Sequence, residues 1–238
     1  GDFSQEGPEL ITNGDFATDT NWNKNSNWTI SGGTANCDGT SNLDLNQGTT
    51  LATIGKSYKI TYEVVSISQG EFFFKFGGVN GVFRNSIGVY TEIIQAVNTN
   101  RISLDSYNNA IGSIDNVSVK EVGQDWLLSS GWGIGDNKAV YDGSAYSSLM
   151  QVIPNLIGKT LKLQFDIVDY TSGTIRIFPD TKESGSDIRY SNNGTYVEYY
   201  TAAQNQLNFQ PQTLNGSITN ISVKEIQTDV PRIDFTDD

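Results

Sequence analysis

The chain of 238 residues contains no histidine. That absence removes Ser-His-Asp and Cys-His nucleophilic arrangements, imidazole general bases and every metal site built on imidazole. A single cysteine, Cys37, allows no internal disulfide, and its expected place is that of a small buried apolar residue. Basic residues are scarce. With 15 Lys+Arg against 27 Asp+Glu the formal charge is −12, the wrong sign for a surface that tracks phosphates, so nucleic acid is not expected as a partner. No run approaches the roughly 18 apolar residues of a spanning helix and no charged-then-apolar secretion signal opens the chain, so membrane insertion is not expected. Phosphate loops, nucleophile elbows and zinc-type spacings are missing as well. The chain starts at Gly1 and not at Met, and ends in a polar tail at Asp238, which reads as a piece of a longer polypeptide.

What the sequence does contain is repetition. Trp22 and Trp28 return at one common spacing as Trp126 and Trp132, and Ala35, Asp38 and Gly39 return as Ala139, Asp142 and Gly143. The run from Ile54 to Tyr62 returns from Ile157 to Phe165, and the run from Gly112 to Glu121 returns from Gly216 to Glu225. Four blocks in one order define two tandem modules, 1–122 and 123–228, followed by 229–238 as a linker toward a further domain. Tyr58, Ile60, Tyr62 and Val64 alternate with polar neighbours, as do Leu161, Leu163, Phe165 and Ile167, the period of strands with one buried face. Turn signals fall at Asn13-Gly14, Asn80-Gly81, Asn193-Gly194 and Asn215-Gly216, and no stretch has a helical period. The expected fold class is therefore all-β, two tandem antiparallel β-sandwich (jelly-roll) domains, each with its own core.

The opening Leu10-Ile11-Thr12-Asn13-Gly14-Asp15-Phe16, the following Trp28, the lead from Ile54 through Lys59 into a strand, and the closing Ile114-Asp115-Asn116-Val117-Ser118-Val119 together carry a likeness. In motif and in order they resemble carbohydrate-binding modules of the family 4/9 type, over nearly all of both repeats. The resemblance implies galactose-binding-like jelly rolls that hold glycans in a groove on one sheet. Close variants of the pattern are familiar in bacteriophage tail-fibre and other virion proteins, and the ending Val230 to Phe235 resembles the linker that leads there into a lectin-like domain. The same resemblance implies a virion-surface or extracellular location, a polysaccharide or cell-surface glycan and other virion subunits as partners, and homo-oligomerisation as a family habit. Some members hold a structural Ca2+ between the first and last strands, and Asp15 and Asp115 stand where carboxylates would be supplied. The chain departs from the pattern at Ala17 and, in the second module, at Thr219 in place of Asp115. The plainer alternative is that Asp15 is a turn residue and Asp115 caps a strand start.

Comparing the modules separates scaffold from site. Trp28 and Trp132, apolar in both copies, read as core, while Trp22 and Trp126 stay open between packing and a sugar platform. Phe72 and Phe74 match Ile175 and Ile177 as inward residues, which sends Phe73 and Lys75, or Arg176 and Phe178, outward. Ile102 and Leu104 match Leu207 and Phe209, sending Arg101, Ser103 and Asp105, or Gln206, Asn208 and Gln210, to the opposite face. Sugars present an apolar CH face and a rim of hydroxyls, so a site needs a flat aromatic beside amide, carboxylate or guanidinium groups. In the second module that set is Gln164, Arg176, Phe178, Tyr199, Gln206 and Asn208, provided that their strands share a sheet. In the first it is Phe73, Lys75, Arg101 and Asp105, with fewer aromatics, so the second module is the expected site.

A glycosidase would need two carboxylates roughly 5–9 Å apart. Glu63 with Glu92, or Asp166 with Glu198, are such pairs, but 27 acidic residues supply pairs by chance, so no catalytic residues are expected. The leading expectation is a non-catalytic glycan-binding (adhesion) module pair of a phage structural protein. The alternative is a purely structural virion sandwich, and a third is an ancillary part of a secreted enzyme. The Asn-x-Ser sequences at Asn116 and Asn220 read as composition and not as glycosylation.

Overall fold

The computed structural model describes residues 3–48, 51–123, 125–143, 147–178 and 189–226, with Phe178 described by its backbone alone. The sequence-derived linker 229–238 lies outside the described residues. The first module holds β1 (Glu6–Glu9), β2 (Asn23–Lys24), β3 (Trp28–Ser31), β4 (Thr34–Asp38), β5 (Asp44–Gln47), β6 (Ser57–Phe76), β7 (Val79–Asn80), β8 (Gly88–Gln95) and β9 (Ile102–Val122). The second holds β10 (Leu127–Leu128), β11 (Trp132–Gly135), β12 (Lys138–Tyr141), β13 (Leu149–Val152), β14 (Thr160–Phe178), β15 (Arg189–Tyr190), β16 (Gly194–Thr201) and β17 (Gln206–Glu225). Every described pairing is antiparallel, and the expected pair of tandem β-sandwich domains is what forms.

Each sandwich is one sheet turned over on itself by two long strands. β6 has 20 residues and β9 has 21, several times the usual strand length of about 5–6. Drawn out straight, 20 residues would span ~66 Å, far beyond a module of this size. They fit because they bend. The β6–β9 register slips between Val64 and Glu71, and Gly70 sits there with φ 70°. A Cβ on Gly70 would lie 2.5 Å from the Tyr107 carbonyl oxygen, so only glycine fits. The second module repeats the corner at Gly173, φ 81°, where a Cβ would lie 2.0 Å from the Thr213 carbonyl oxygen.

Before the corner, β6 pairs with β8 and with the end of β9, which carries β4 and β1 on its far side. After the corner, β6 pairs with the start of β9, which carries β5 and then β2. The two halves of β6 thus face each other across the core, Tyr62 on Phe74 with ring centroids 4.4 Å apart and Tyr58 on Phe76 at 4.8 Å. Burying each such side chain contributes roughly 1.5–3 kcal/mol. The alternating residues of β6 and β14 named above are all buried, as is Cys37. All four tryptophans are core residues, which resolves Trp22 and Trp126 toward packing. Two turns differ from expectation: the β6–β7 hairpin turns on Gly77-Gly78, both at positive φ, while Asn80 is paired within β7 opposite Lys75, and Asn215-Gly216 lies inside β17, Asn215 opposite Ser172 and Gly216 opposite Tyr141.

The N-terminal segment crosses between the modules. Phe3, which precedes every strand of the first module in sequence, is buried in the second core, its ring 5.3 Å from that of Trp126. Its amide donates to the Asn137 carbonyl, and the Gly123 amide donates to the Gln5 carbonyl. From β8, Ile93 packs on the second core and the Gln95 side-chain amide donates to the Trp132 carbonyl at 2.8 Å.

Candidate functional site

Because Phe72, Phe74 and Leu104 point into the first core, their neighbours Phe73, Lys75, Ser103 and Asp105 point outward. The register places Phe73 directly opposite Asp105 and Lys75 opposite Ser103, and on the far side of β9 it places Asp44 opposite Asp105. The result is a cleft of about 260 Å³ lined by Asp44, Lys75, Asn100, Arg101, Ser103 and Asp105. Three of the four residues expected in this module, Lys75, Arg101 and Asp105, line it, and the fourth, Phe73, stands beside it.

Asp44 is the hub. Its Oδ2 accepts hydrogen bonds from the Asn46 amide at 2.9 Å and the Arg101 guanidinium at 3.3 Å, and its Oδ1 accepts one from the Asn25 amide at 2.5 Å. Ser103 donates to Asp105. Burial pushes the Asp105 carboxyl above its ordinary value, the Ser103 hydrogen bond opposes this, and the nearby Asp44 carboxylate adds to the rise. The cleft therefore holds two acids and two bases.

Two further aromatics extend this face. Phe83 stacks on Phe73 with ring centroids 4.3 Å apart and planes 27° from parallel, and Tyr107 meets Phe83 edge-on at 5.3 Å. Phe83 is 40% exposed and Tyr107 46%. Phe83 arrives there because its neighbour Arg84 makes an isolated backbone bridge with Phe72, each amide donating to the other's carbonyl. Sequence reasoning missed both rings. Tyr107 was within reach, being one more step of the period-two face that runs through Ser103 and Asp105; nothing in the local pattern announces the bridge that positions Phe83.

The six residues expected in the second module do not share one surface. Gln164 and Tyr199 lie on the outer face of the β14 segment that precedes the Gly173 corner, paired with β16. Arg176, Gln206 and Asn208 lie beyond the corner, around the β14–β17 and β13–β17 ladders. The condition that their strands share a sheet face fails because β14 turns over between them. Arg176 donates to the Gln210 side-chain carbonyl from two nitrogens, at 2.8 and 3.1 Å, and Asn208 is only 6% exposed. The Phe178 side chain lies outside the described residues. Before the corner, a smaller cleft of about 40 Å³ is lined by Lys162, Gln164, Ser222 and Lys224.

The expected calcium carboxylates are each engaged with backbone, Asp15 accepting from the Ala17 amide at 3.3 Å and Asp115 from the Asn116 amide at 2.7 Å. Asp115 sits within β9 at a bulge and not at a strand start. Partial burial, followed by the Glu63 and Asp15 carboxylates, raises the Asp115 carboxyl above its ordinary value. Calcium takes six to eight oxygens, and among the described residues no group of three Asp, Glu, Cys or His side chains is placed to hold a metal ion. The carboxylate pairs considered for hydrolysis are separated by the sheet. Glu92 is paired with inward Ile60 and Glu198 with inward Leu163, whereas Glu63 and Asp166 stand on the outer face.

No protein-family model matches the chain, and no curated protein matches it. Among solved structures it is similar to the N-terminal CBM22-1-CBM22-2 tandem domain of Xyn10C from Paenibacillus barcinonensis, at 9% identity and a TM-score of 0.33 over 95% of this chain and 100% of that one. It is also similar to allantoicase from Saccharomyces cerevisiae, at 9% identity and a TM-score of 0.31 over 74% of this chain and 75% of that one. Scores of this size establish neither a family nor an activity, so the functional reading stands on the chain's own geometry.

Proposed function

We propose that the protein is a non-catalytic glycan-binding pair of modules whose principal site is the outer face of the first module. One observation carries the reading: the packed rings of Phe73, Phe83 and Tyr107 adjoin, through the pairing of Phe73 with Asp105, a cleft walled by two carboxylates, a guanidinium and an ammonium group. A pyranose stacks its CH face on such rings and offers its hydroxyls to such walls. With two acids facing two bases, the cleft suits a neutral sugar better than a charged one. Single sites of this kind bind weakly, and display in several copies raises avidity through effective concentration. The motif resemblance supports a place on a phage fibre, tail or capsid protein, at the virion surface or otherwise outside the cell. There it would sit beside other virion subunits, in an oligomer, and engage bacterial surface polysaccharide.

The test is binding of the chain to an array of bacterial polysaccharides and simple glycans, with and without calcium, beside a Phe83→Ala/Tyr107→Ala variant. The expected result is a signal that falls at least tenfold in the variant while its circular dichroism is unchanged. A signal that survives in the variant moves the site elsewhere. No signal on any glycan ends the reading in favour of a structural virion sandwich. That second reading has its own support in β8, which pairs only with β6 among the described strands and exposes Val89, with Ile87 exposed just before it.

A further inference from the structure

Both modules carry a pair of lysines directly opposite each other on the outer face before the corner. In the first module these are Lys59 on β6 and Lys120 on β9; in the second they are Lys162 on β14 and Lys224 on β17. Like charges facing each other across a ladder are unfavourable unless an anion sits between them. In the first module one does. Glu6, carried in by β1, accepts from Lys59 at 2.6 Å and from Lys120 at 3.0 Å. Glu9 of the same strand accepts from the Ser118 hydroxyl at 2.5 Å and the Val119 amide at 2.8 Å. The second module has the same lysines, and Ser222 in the place of Ser118, but among the described residues no strand corresponds to β1. Among the described residues no ion pair includes Lys162 or Lys224.

The rest of that face differs in a telling way. Opposite Lys59 stands Ile93, which packs against the second module. Opposite Lys162 stands Tyr199, 56% exposed. The row Tyr199, Lys162, Lys224 crosses three neighbouring strands, roughly 10 Å, with Gln164 and Ser222 in the next row and the small cleft between them.

We infer that Lys162 and Lys224 form a carboxylate-binding site, and that its ligand is an acidic sugar, a uronic acid residue of a polysaccharide, lying across the sheet with its ring on Tyr199. That the lysine pair takes a carboxylate stands on its counterpart around Glu6; that a sugar bears the carboxylate rests on the glycan reading above. The two ammonium groups take the carboxylate, Tyr199 takes the CH face, and Gln164 and Ser222 take hydroxyls. A sugar fits the face better than an added strand does, because Tyr199 lies on the side of Lys162 away from the β17 edge that a strand would occupy.

Calorimetric titration of the full chain with trisaccharides of galacturonate and of glucuronate tests this, beside their carboxyl-reduced neutral forms and a blocked peptide with the sequence of residues 4–10. The expected result is that at least one acidic trisaccharide binds and that its neutral form binds at least tenfold more weakly. Affinity for it should drop at least tenfold in Lys162→Ala/Lys224→Ala and severalfold in Tyr199→Ala, and should weaken as salt rises. Circular dichroism of each variant separates loss of the site from loss of fold. Binding of neither acid, equal binding of acid and neutral forms, or full retention in the double lysine variant overturns the proposal. Binding of the peptide without either acid assigns the site to a glutamate-bearing strand instead. Loss of acid binding only in Phe83→Ala/Tyr107→Ala would place the acid in the first-module cleft, which separates failure here from failure of the glycan reading.

Discussion

At Asn116 and Asn220 the two modules do the same thing: each asparagine sits at φ 53° in a bulge, and each donates its side-chain amide to the acid across the ladder, Glu63 at 2.9 Å and Asp166 at 2.6 Å. At the lysine pairs and in the outer rows they part. The row Phe73–Asp105 of the first module is Arg176–Gln210 in the second, an aromatic and a carboxylate replaced by a guanidinium and an amide. The difference teaches which features a repeat carries with it. Bulges and corner glycines are closed within the module, so copying the sequence copies them. The state of a surface pair depends on which edge strand lies beside it, and among the described residues only the first module has one, β1.

Phe3→Ala is the strongest way to break that comparison. Phe3 is 1% exposed, and emptying such a position costs about 3–5 kcal/mol. Although the residue lies at the very start of the chain, the loss is expected in the second module, read as hydrogen-exchange protection that falls across 127–223 while 28–119 keep theirs. Equal loss in both would show that the modules unfold as one unit and that the two cores are not separate in energy.

The bulges sharpen the comparison. An alanine held at positive φ costs about 1–2 kcal/mol relative to a residue at ease there, so Asn116→Ala and Asn220→Ala are each expected to lower stability by about that much in urea titrations. Glycine at either position should recover part of the loss. Costs that differ by more than about 1 kcal/mol would show that the two bulges are alike in geometry and not in energetics.

Much of this was legible because strands with one wet face write a period of two. Tyr58 through Val64 and Leu161 through Ile167 declared their inward side, and once that side is known Lys75, Arg101 and Asp105 follow as outward neighbours. The corners were not legible, because the bulges that make them break the period where it is needed; Gly70 and Gly173, at matched places in the repeat, were the one available sign. Without the corner, Gln164 and Arg176 read as neighbours. Phe83 depends on one backbone bridge, and Glu6 on a strand pairing more than 100 residues away, from Glu9 to Lys120. Neither leaves a mark in local pattern.

Glu6→Gln tests that strand with the smallest expected effect. An exposed bridge to two lysines contributes about 0.5–1 kcal/mol at neutral pH. The hydrogen bond from Lys59, then that from Lys120, holds the Glu6 carboxyl below its ordinary value. A lowered folded value means that the stabilisation is full above the unfolded carboxylate value of about 4.3 and is lost as pH falls through the folded one, so the gap between wild type and variant should close on acidification. Seen from the other side, Glu6 raises Lys120, which keeps the pair intact until pH climbs into the lysine range. A gap that stays flat from neutral to acid pH would show that Glu6 acts through strand pairing and not through charge. The same variant removes the carboxylate that Lys59 and Lys120 share, as none is shared by Lys162 and Lys224 among the described residues, but with Ile93 where the second module has Tyr199. Any uronate binding gained there should be weaker than at the second module, since the charge is restored and the ring is not.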